Sequence, residues 1–108
     1  MKIGQMLASV SVLQKLVEQP LHLRQAHTLS KIARKINEEL GFFAERRDQI
    51  LNSDMTDEEK EEKMNELVNF ETDWDLAPLK LNLDQNIELS AADLDAVVGI
   101  VEVEEESQ

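Results

Sequence analysis

Apolar residues recur every three or four positions through the first half of the chain, a spacing typical of helices that bury one face. The first such stretch runs from Ile3 to Val17. We expect this helix to end before Pro20, because the residue that precedes a proline is disfavoured in helical geometry. The pattern therefore predicts an amphipathic helix at the N-terminus.

A longer apolar seam follows, and it is the clearest pattern in the sequence. Its spacings alternate between four and three residues, as in helices that pack side by side; its members are Leu29, Ala33, Ile36, Leu40, Phe43, Arg47 and Ile50. A helix of this length spans roughly 33 Å at 1.5 Å per residue. This Leu29–Ile50 seam is too long for a helix over residues 56–69 to cover, so we expect part of it to contact another protein.

Two capping signals mark the starts of shorter helices. Thr56 followed by Glu59 fits a capping box and predicts a helix over residues 56–69. Ser90 followed by Asp93 predicts a last helix, which we extend through residues 97–103 because Val97, Val98 and Val101 have helical spacing. The β-branched residues of 97–103 also suit a strand, which leaves that alternative open.

Between these helices the apolar period changes to two. Phe70, Thr72, Trp74 and Leu76 alternate with acidic residues, as in a half-buried strand, and residues 79–89 alternate around a polar turn, as in a hairpin. We therefore predict a single α+β domain over residues 1–103 with an acidic tail over residues 104–108. Its parts are an antiparallel helical hairpin centred on residues 22–52, two flanking helices and a short antiparallel sheet from residues 70–89.

Charge divides the chain into two halves. Residues 1–50 carry eight bases and five acids, a net of +3, whereas residues 51–108 carry three bases and eighteen acids, a net of −15. Together they give the net charge of −12. Segregated charge governs association and solubility rather than chemistry, so we expect it to act on partners or between parts of the fold.

The composition excludes several classes of protein. The chain has no cysteine, which removes disulfides and thiolate chemistry. No apolar run approaches the roughly 20 residues of a membrane span, and the N-terminal stretch is too polar for a signal peptide. We therefore expect an intracellular protein with no membrane partner.

No motif indicates a metal, a cofactor or catalysis. Asn52, Asp54 and Thr56 have the spacing of an EF-hand loop, but the turn glycine is missing and Lys63 stands where a glutamate ligand is required. The two histidines are five residues apart, the glycines form no phosphate-binding loop, and no nucleophile has a base beside it. We predict that the chain is not an enzyme and binds no cofactor.

The bases of the first half have the spacing of a phosphate-binding stripe. Arg24, Lys31 and Lys35 share one helical face. The net charge of −12 opposes approach to DNA or RNA, so we expect these bases to pair with the protein's own Glu-rich helix and predict no nucleic-acid partner.

The order of these segments resembles a family of small proteins from tailed bacteriophages and prophages that is defined only as a domain of unknown function. The resemblance rests on residues 31–47 and 65–76 and on Glu88-Leu89-Ser90, and it spans about residues 20–102. Trp74 stands where such proteins usually have an aliphatic residue, and Ala91 where a proline is usual. The resemblance implies a phage origin and an α+β shape, but it brings no catalytic residue.

The sequence thus favours a small acidic, phage-encoded protein-binding module, in particle assembly or in modulation of a host protein. It would lie in the host cytoplasm or in the virion. A homodimer through the seam would pair Arg47 with Glu45 or Asp48 of the second copy. The alternative is an acidic DNA mimic that blocks a host defence enzyme. The candidate interface residues are Leu29, Ile36, Leu40, Phe43, Arg47, Ile50 and Trp74.

Overall fold

The computed structural model describes residues 1–82 and 85–104, which form a mixed fold of four helices and one two-stranded sheet. The described part of the chain is elongated, with extents of 60 × 24 × 23 Å. Its elements, in chain order, are α1 (Ile3–Val17), α2 (Leu23–Leu51), α3 (Asp57–Val68), β1 (Leu79–Asn82), α4 (Ala91–Ala96) and β2 (Val101–Glu104). The predicted α+β class is confirmed. None of the described helices is long and apolar enough to cross a membrane.

The helix α1 forms as its apolar spacing predicts and packs along α2. Ile3, Met6, Leu13 and Leu16 are buried on one face of α1 and join the core. Ser9 is also fully buried, and its hydroxyl donates a hydrogen bond to the carbonyl of Met6 at 2.7 Å. The core therefore accepts this hydroxyl at little cost, because its donor is paired.

The bounds predicted for the helical hairpin, residues 22–52, are wrong, because they enclose only one of its helices, the continuous helix α2. The hairpin partner is instead α3, which turns back along α2. Lys60, early in α3, donates to the carbonyl of Leu51 at the end of α2. Phe70, just after α3, contacts Phe42 further back on α2. The Leu29–Ile50 seam predicts this continuous helix, because its spacing carries through Gly41 without a break.

The sheet is parallel, so the predicted antiparallel hairpin over residues 79–89 is wrong. Leu79 pairs with Val101 and Leu81 with Val103, and α4 lies in the connection between the two strands. Leu79 and Leu81 face the core, as their alternation indicates, but they pair with a strand further along the chain. Leu83 and Asp84, part of the predicted hairpin, lie outside the described residues.

The predicted strand over residues 70–76 is also wrong, since only an isolated bridge between Lys2 and Glu71 forms there. The alternation of burial is nevertheless real. Thr72 is buried and Trp74 and Leu76 are half-buried, whereas the acids between them are exposed. Alternate side chains of this segment pack on the core, but its backbone pairs with no neighbouring strand. The alternation of apolar and polar residues therefore predicted a strand where an extended loop forms.

The final predicted helix ends earlier than expected. Ser90 accepts a hydrogen bond from the amide of Asp93 at 3.0 Å, so the predicted start of α4 is confirmed. The helix stops at Ala96 with Val97 as its C-cap, and Gly99 further on adopts φ +86°, a left-handed conformation that favours glycine and that a continued helix could not contain. The helix predicted over residues 97–103 is therefore wrong, and the strand alternative holds for β2. Glu104 of the predicted tail belongs to β2, and the rest of that tail lies outside the described residues.

Candidate protein-binding groove

A groove of about 410 Å³ runs between the last turns of α2 and the helix α3. Its walls are largely apolar, and its rim carries charged and amide side chains. The apolar lining consists of Phe42, Ile50, Met55, Leu67 and Phe70. A concave apolar surface with a few polar groups at its rim is the usual form of a binding site.

The groove exists because α2 is about twice as long as α1 and extends beyond it. The 29 residues of α2 span roughly 44 Å, whereas the 15 residues of α1 span roughly 22 Å. The start of α1 is fixed beside the end of α3, where the amide of Ile3 donates to the carbonyl of Phe70 at 3.1 Å. The end of α2 and the start of α3 therefore extend beyond α1 and cover mainly each other. Two helices cannot enclose their own apolar faces, which leaves the groove open.

Two aromatic rings lie at the mouth of the groove. The side chains of Phe42 and Phe70 are 41% and 49% exposed, and their ring centroids are 5.9 Å apart. Exposed aromatic groups that lie together beside an apolar groove are typical of contact surfaces.

The rim of the groove is polar and weakly paired. The guanidinium of Arg46 donates to the side-chain oxygen of Gln49 at 2.6 Å. Lys63 and Glu66 form an ion pair at 3.5 Å in which both side chains are more than half exposed. An exposed pair of this kind contributes little to stability, so these groups can be recruited by a partner at small cost.

The structure places most of the predicted interface residues in the core. Leu29, Ile36, Phe43 and Ile50 are buried, and Leu40 is half-buried. The seam therefore packs inside the single chain, against α1 and α3. The accessible apolar surface lies beside it on Phe42 and Phe70.

The other two predicted interface residues also lie apart from the mouth of the groove. The guanidinium of Arg47 is 5.7 Å from the ring centroid of Phe43, a cation–π distance, and 3.5 Å from the carboxylate of Asp48 in its own chain. Trp74 is half-buried against the core, and its indole nitrogen is buried without a hydrogen-bond partner among residues 1–82 and 85–104.

Sequence reasoning missed Phe42, although the sequence held a signal for it. Phe42 and Phe43 are adjacent, and neighbouring residues point about 100° apart on a helix. Phe43 belongs to the seam, so Phe42 must lie at its margin. Phe70 carried no such signal, because its exposure depends on how the segment after α3 leaves the helix.

The predicted pairing between the bases of α2 and the acids of α3 does not form. Within the described residues Lys35 pairs only with Glu39 of its own helix, at 3.0 Å, and this hydrogen bond raises the pKa of Lys35. The reason is position, because Arg24, Lys31 and Lys35 lie in the first half of α2, whereas α3 packs along the second half. The acids of α3 remain exposed to solvent.

Thr56, one of the residues that resembled a calcium loop, is the N-cap of α3. Its hydroxyl accepts a hydrogen bond from the amide of Glu59 at 3.2 Å, as predicted, but the return bond from the Glu59 side chain that a capping box requires is not found among the described residues. The parts of the chain that the structure describes hold no group of three or more His, Asp or Glu side chains that could bind a metal ion. Comparison of the chain with known protein families, curated proteins and solved structures gives no match.

Proposed function

We propose that the chain is a non-catalytic protein-binding module that receives an amphipathic helix of another protein in the groove between α2 and α3. The observation that carries this proposal is the exposure of the Phe42 and Phe70 rings at the mouth of an apolar groove. A third helix laid on these two would bury the apolar faces that the hairpin leaves open.

The charges of the rim define the chemistry of the partner. Arg46 on α2 and Lys63 on α3 line the groove, and Glu66, which forms an exposed ion pair with Lys63, lines it as well. A partner helix with apolar residues at every third or fourth position and carboxylates at its margins complements the two bases. Buried aromatic anchors surrounded by a polar rim are the usual source of affinity in such contacts.

The resemblance to phage proteins supplies the biological setting of the proposal. The partner would be a protein of the particle or of the host, and the chain would lie in the host cytoplasm or in the virion. The net charge of −12 favours a different protein over a second copy, because two like-charged molecules repel.

A photo-crosslinking residue in place of Gln49, which is exposed at the rim, would identify the partner in cells that produce the protein. Binding of the purified partner is then measured for wild type, Phe42→Asp and the control Val17→Asp, whose side chain is 67% exposed outside the groove. We expect Phe42→Asp to weaken binding at least about tenfold and Val17→Asp to leave it unchanged. Equal binding by Phe42→Asp and wild type would overturn the proposal, and so would robust turnover of a substrate by the purified protein.

One observation favours a second candidate function, an acidic DNA mimic. The carboxylates of Glu58, Glu61 and Glu62 are exposed on α3, and no base of α2 neutralises them within the described residues. Such a surface would compete with DNA for a basic host enzyme. Displacement of a labelled DNA duplex from purified host nucleases tests it. Loss of displacement in the triple variant E58Q/E61Q/E62Q, with retention in Phe42→Asp, would select this function over the first.

A further inference from the structure

The two edges of the small parallel sheet differ, because side chains of the same chain cover most of the outer edge of β1. The side-chain amide of Gln25 donates to the carbonyl of Lys80 at 2.8 Å. The amide of Asn82 donates to the side-chain oxygen of Gln85 at 3.0 Å, and Gln25 and Gln85 also bond to each other. The carbonyl of Lys80 and the amide of Asn82 on this edge are thus met by side chains of the same chain.

The outer edge of β2 is open at one residue. The amide of Leu79 donates to the carbonyl of Ile100, so residues 100, 102 and 104 point their backbone groups toward β1. Val101 and Val103 point theirs outward. Val101 is engaged by the preceding turn, because its amide donates to the carbonyl of Val97 at 3.0 Å. Within residues 1–82 and 85–104 no hydrogen bond engages the backbone amide or carbonyl of Val103.

A largely apolar cavity of about 160 Å³ lies over the sheet face that carries Leu81 of β1 and Val103 of β2. Val103, which is 42% exposed, bounds it on the β2 side. The rest of its lining consists of Ile87, Leu89 and Leu94 with the polar Asn82 and Gln85. The cavity lies on the same face of β2 as the buried side chain of Val101.

We propose that the outer edge of β2 accepts an extended, cationic segment of another protein as a third strand. The backbone of Val103 would bond to the incoming strand, and one apolar residue of that strand would fill the cavity beside Leu94. Parallel sheets are normally larger and covered on both sides, so a two-stranded parallel sheet with one open edge is suited to augmentation.

Charge identifies the occupant. Glu102 and Glu104 are exposed on β2, opposite the face that carries Val101 and Val103, and Glu104 also forms an exposed ion pair with Lys80 of β1 at 3.4 Å. An incoming strand that alternates apolar residues with Lys or Arg places its bases beside these carboxylates. A second copy of β2 would place glutamates beside glutamates, which is unfavourable in directly opposed strands. The partner segment is therefore basic and belongs to a different chain.

The test uses a fluorescent peptide of nine residues that alternates Val and Lys, with a scrambled peptide of the same composition as its control. The full-length protein is titrated and the change in anisotropy is measured. We expect the alternating peptide to bind about tenfold more tightly than the scrambled one, because backbone register adds to charge attraction. The amide signal of Val103 is expected to shift in the NMR spectrum on binding.

Two substitutions at Val103 distinguish backbone pairing with the peptide from electrostatic attraction alone. Val103→Pro removes the amide that points away from β1 and leaves every hydrogen bond to β1 in place. We therefore expect it to weaken binding about tenfold with no loss of helix signal in circular dichroism. Val103→Ile keeps the amide, and we expect it to bind within about threefold of wild type. Equal affinity for both peptides, or unchanged binding by Val103→Pro, would overturn the proposal. A dimer that Val103→Pro dissociates would also overturn it, in favour of a second copy.

The outcome is independent of the groove between α2 and α3, because the two surfaces share no residue. The Phe42→Asp variant is expected to bind the alternating peptide as the wild type does. Failure of one proposal therefore leaves the other standing.

Discussion

The rings of Phe42 and Phe70 contact each other with centroids 5.9 Å apart and planes inclined by 44°, although nearly half of each side chain is exposed. The pair joins the middle of α2 to the segment that leaves α3. A tilted aromatic pair of this kind contributes about 0.5–1.5 kcal/mol beyond its buried area. Its apolar surface is only partly used by the fold, which is why we place partner binding at this point.

The adjacent residues Phe42 and Phe43 are expected to respond oppositely to a charge. Phe43 is 8% exposed, so Phe43→Glu buries an unpaired carboxylate and is expected to unfold the domain. Phe42 is 41% exposed, so Phe42→Glu is expected to stay folded and to lower the free energy of unfolding by about 1 kcal/mol or less. Circular dichroism with urea titration measures both.

The same pair of variants tests whether the seam is shared between two copies. If it were, Phe43→Glu would give a folded monomer and wild type would sediment as a dimer. We expect wild type to sediment as a monomer at micromolar concentration, because the seam is covered by α1 and α3 of its own chain. A folded, monomeric Phe43→Glu protein together with a dimeric wild type would contradict this expectation.

Local signals were enough to place the starts of α3 and α4, because each start is encoded within a few residues. Ser90 and Asp93 bond to each other across one turn, and Thr56 caps α3, so neither depends on distant parts of the chain. The partner of β1 is a different matter. Leu79 pairs with Val101, and nothing in the alternation of residues 79–82 states which distant strand completes the sheet.

Two glycines in helices are expected to respond differently to alanine. A methyl group at Gly41 would meet nothing within 4 Å, so Gly41→Ala is expected to raise the free energy of unfolding by roughly 1 kcal/mol through helix propensity alone. A methyl group at Gly4 would lie 2.9 Å from the Cγ1 atom of Val68. Because Val68 is β-branched and stiff, Gly4→Ala is expected to lower stability. Equal stabilisation by both substitutions in urea titrations would contradict the packing of α1 against α3.

The candidate groove could not be located from sequence for a similar reason. The seam predicted which residues of α2 are apolar on one side, but not how far α1 and α3 extend along it. The overhang of α2 depends on where Ile3 bonds to Phe70, a contact between residues far apart in the chain. Which side of the seam stays exposed is therefore decided by tertiary packing. The sequence prediction named the buried residues of the seam and missed the exposed residues next to them.

The carboxylate of Asp93 is expected to make stability depend on pH. The amide of Ser90 donates to it and Lys15 lies 3.0 Å away, and both interactions lower the pKa of Asp93 from its ordinary value of 3.8. A group whose pKa is lower in the folded state stabilises the fold above its unfolded pKa, and this contribution disappears as the pH falls through the folded pKa.

Wild type should therefore be more stable than Asp93→Asn at neutral pH, and the difference should shrink below about pH 4. Urea unfolding at several pH values measures it. Asp95→Asn is the matched control, because the carboxylate of Asp95 makes no ion pair within the described residues. A difference between wild type and Asp93→Asn that stays constant down to about pH 2 would contradict the bond to Ser90.

Trp74 is the residue at which the fold leaves a buried donor unpaired, since its indole nitrogen has no hydrogen-bond partner within the described residues. An unpaired buried donor costs about 1–3 kcal/mol. Trp74→Phe removes the unpaired donor, which is stabilising, but it also loses part of the buried apolar ring, which is destabilising. Because the two effects oppose each other, we expect its free energy of unfolding to lie within about 1 kcal/mol of wild type. Trp74→Ala keeps neither ring and is expected to lose roughly 2 kcal/mol or more. Both are measured by circular dichroism in urea, because Trp74 is the only tryptophan and its fluorescence disappears with the substitution. Equal losses for the two variants would mean that the indole nitrogen is paired in solution.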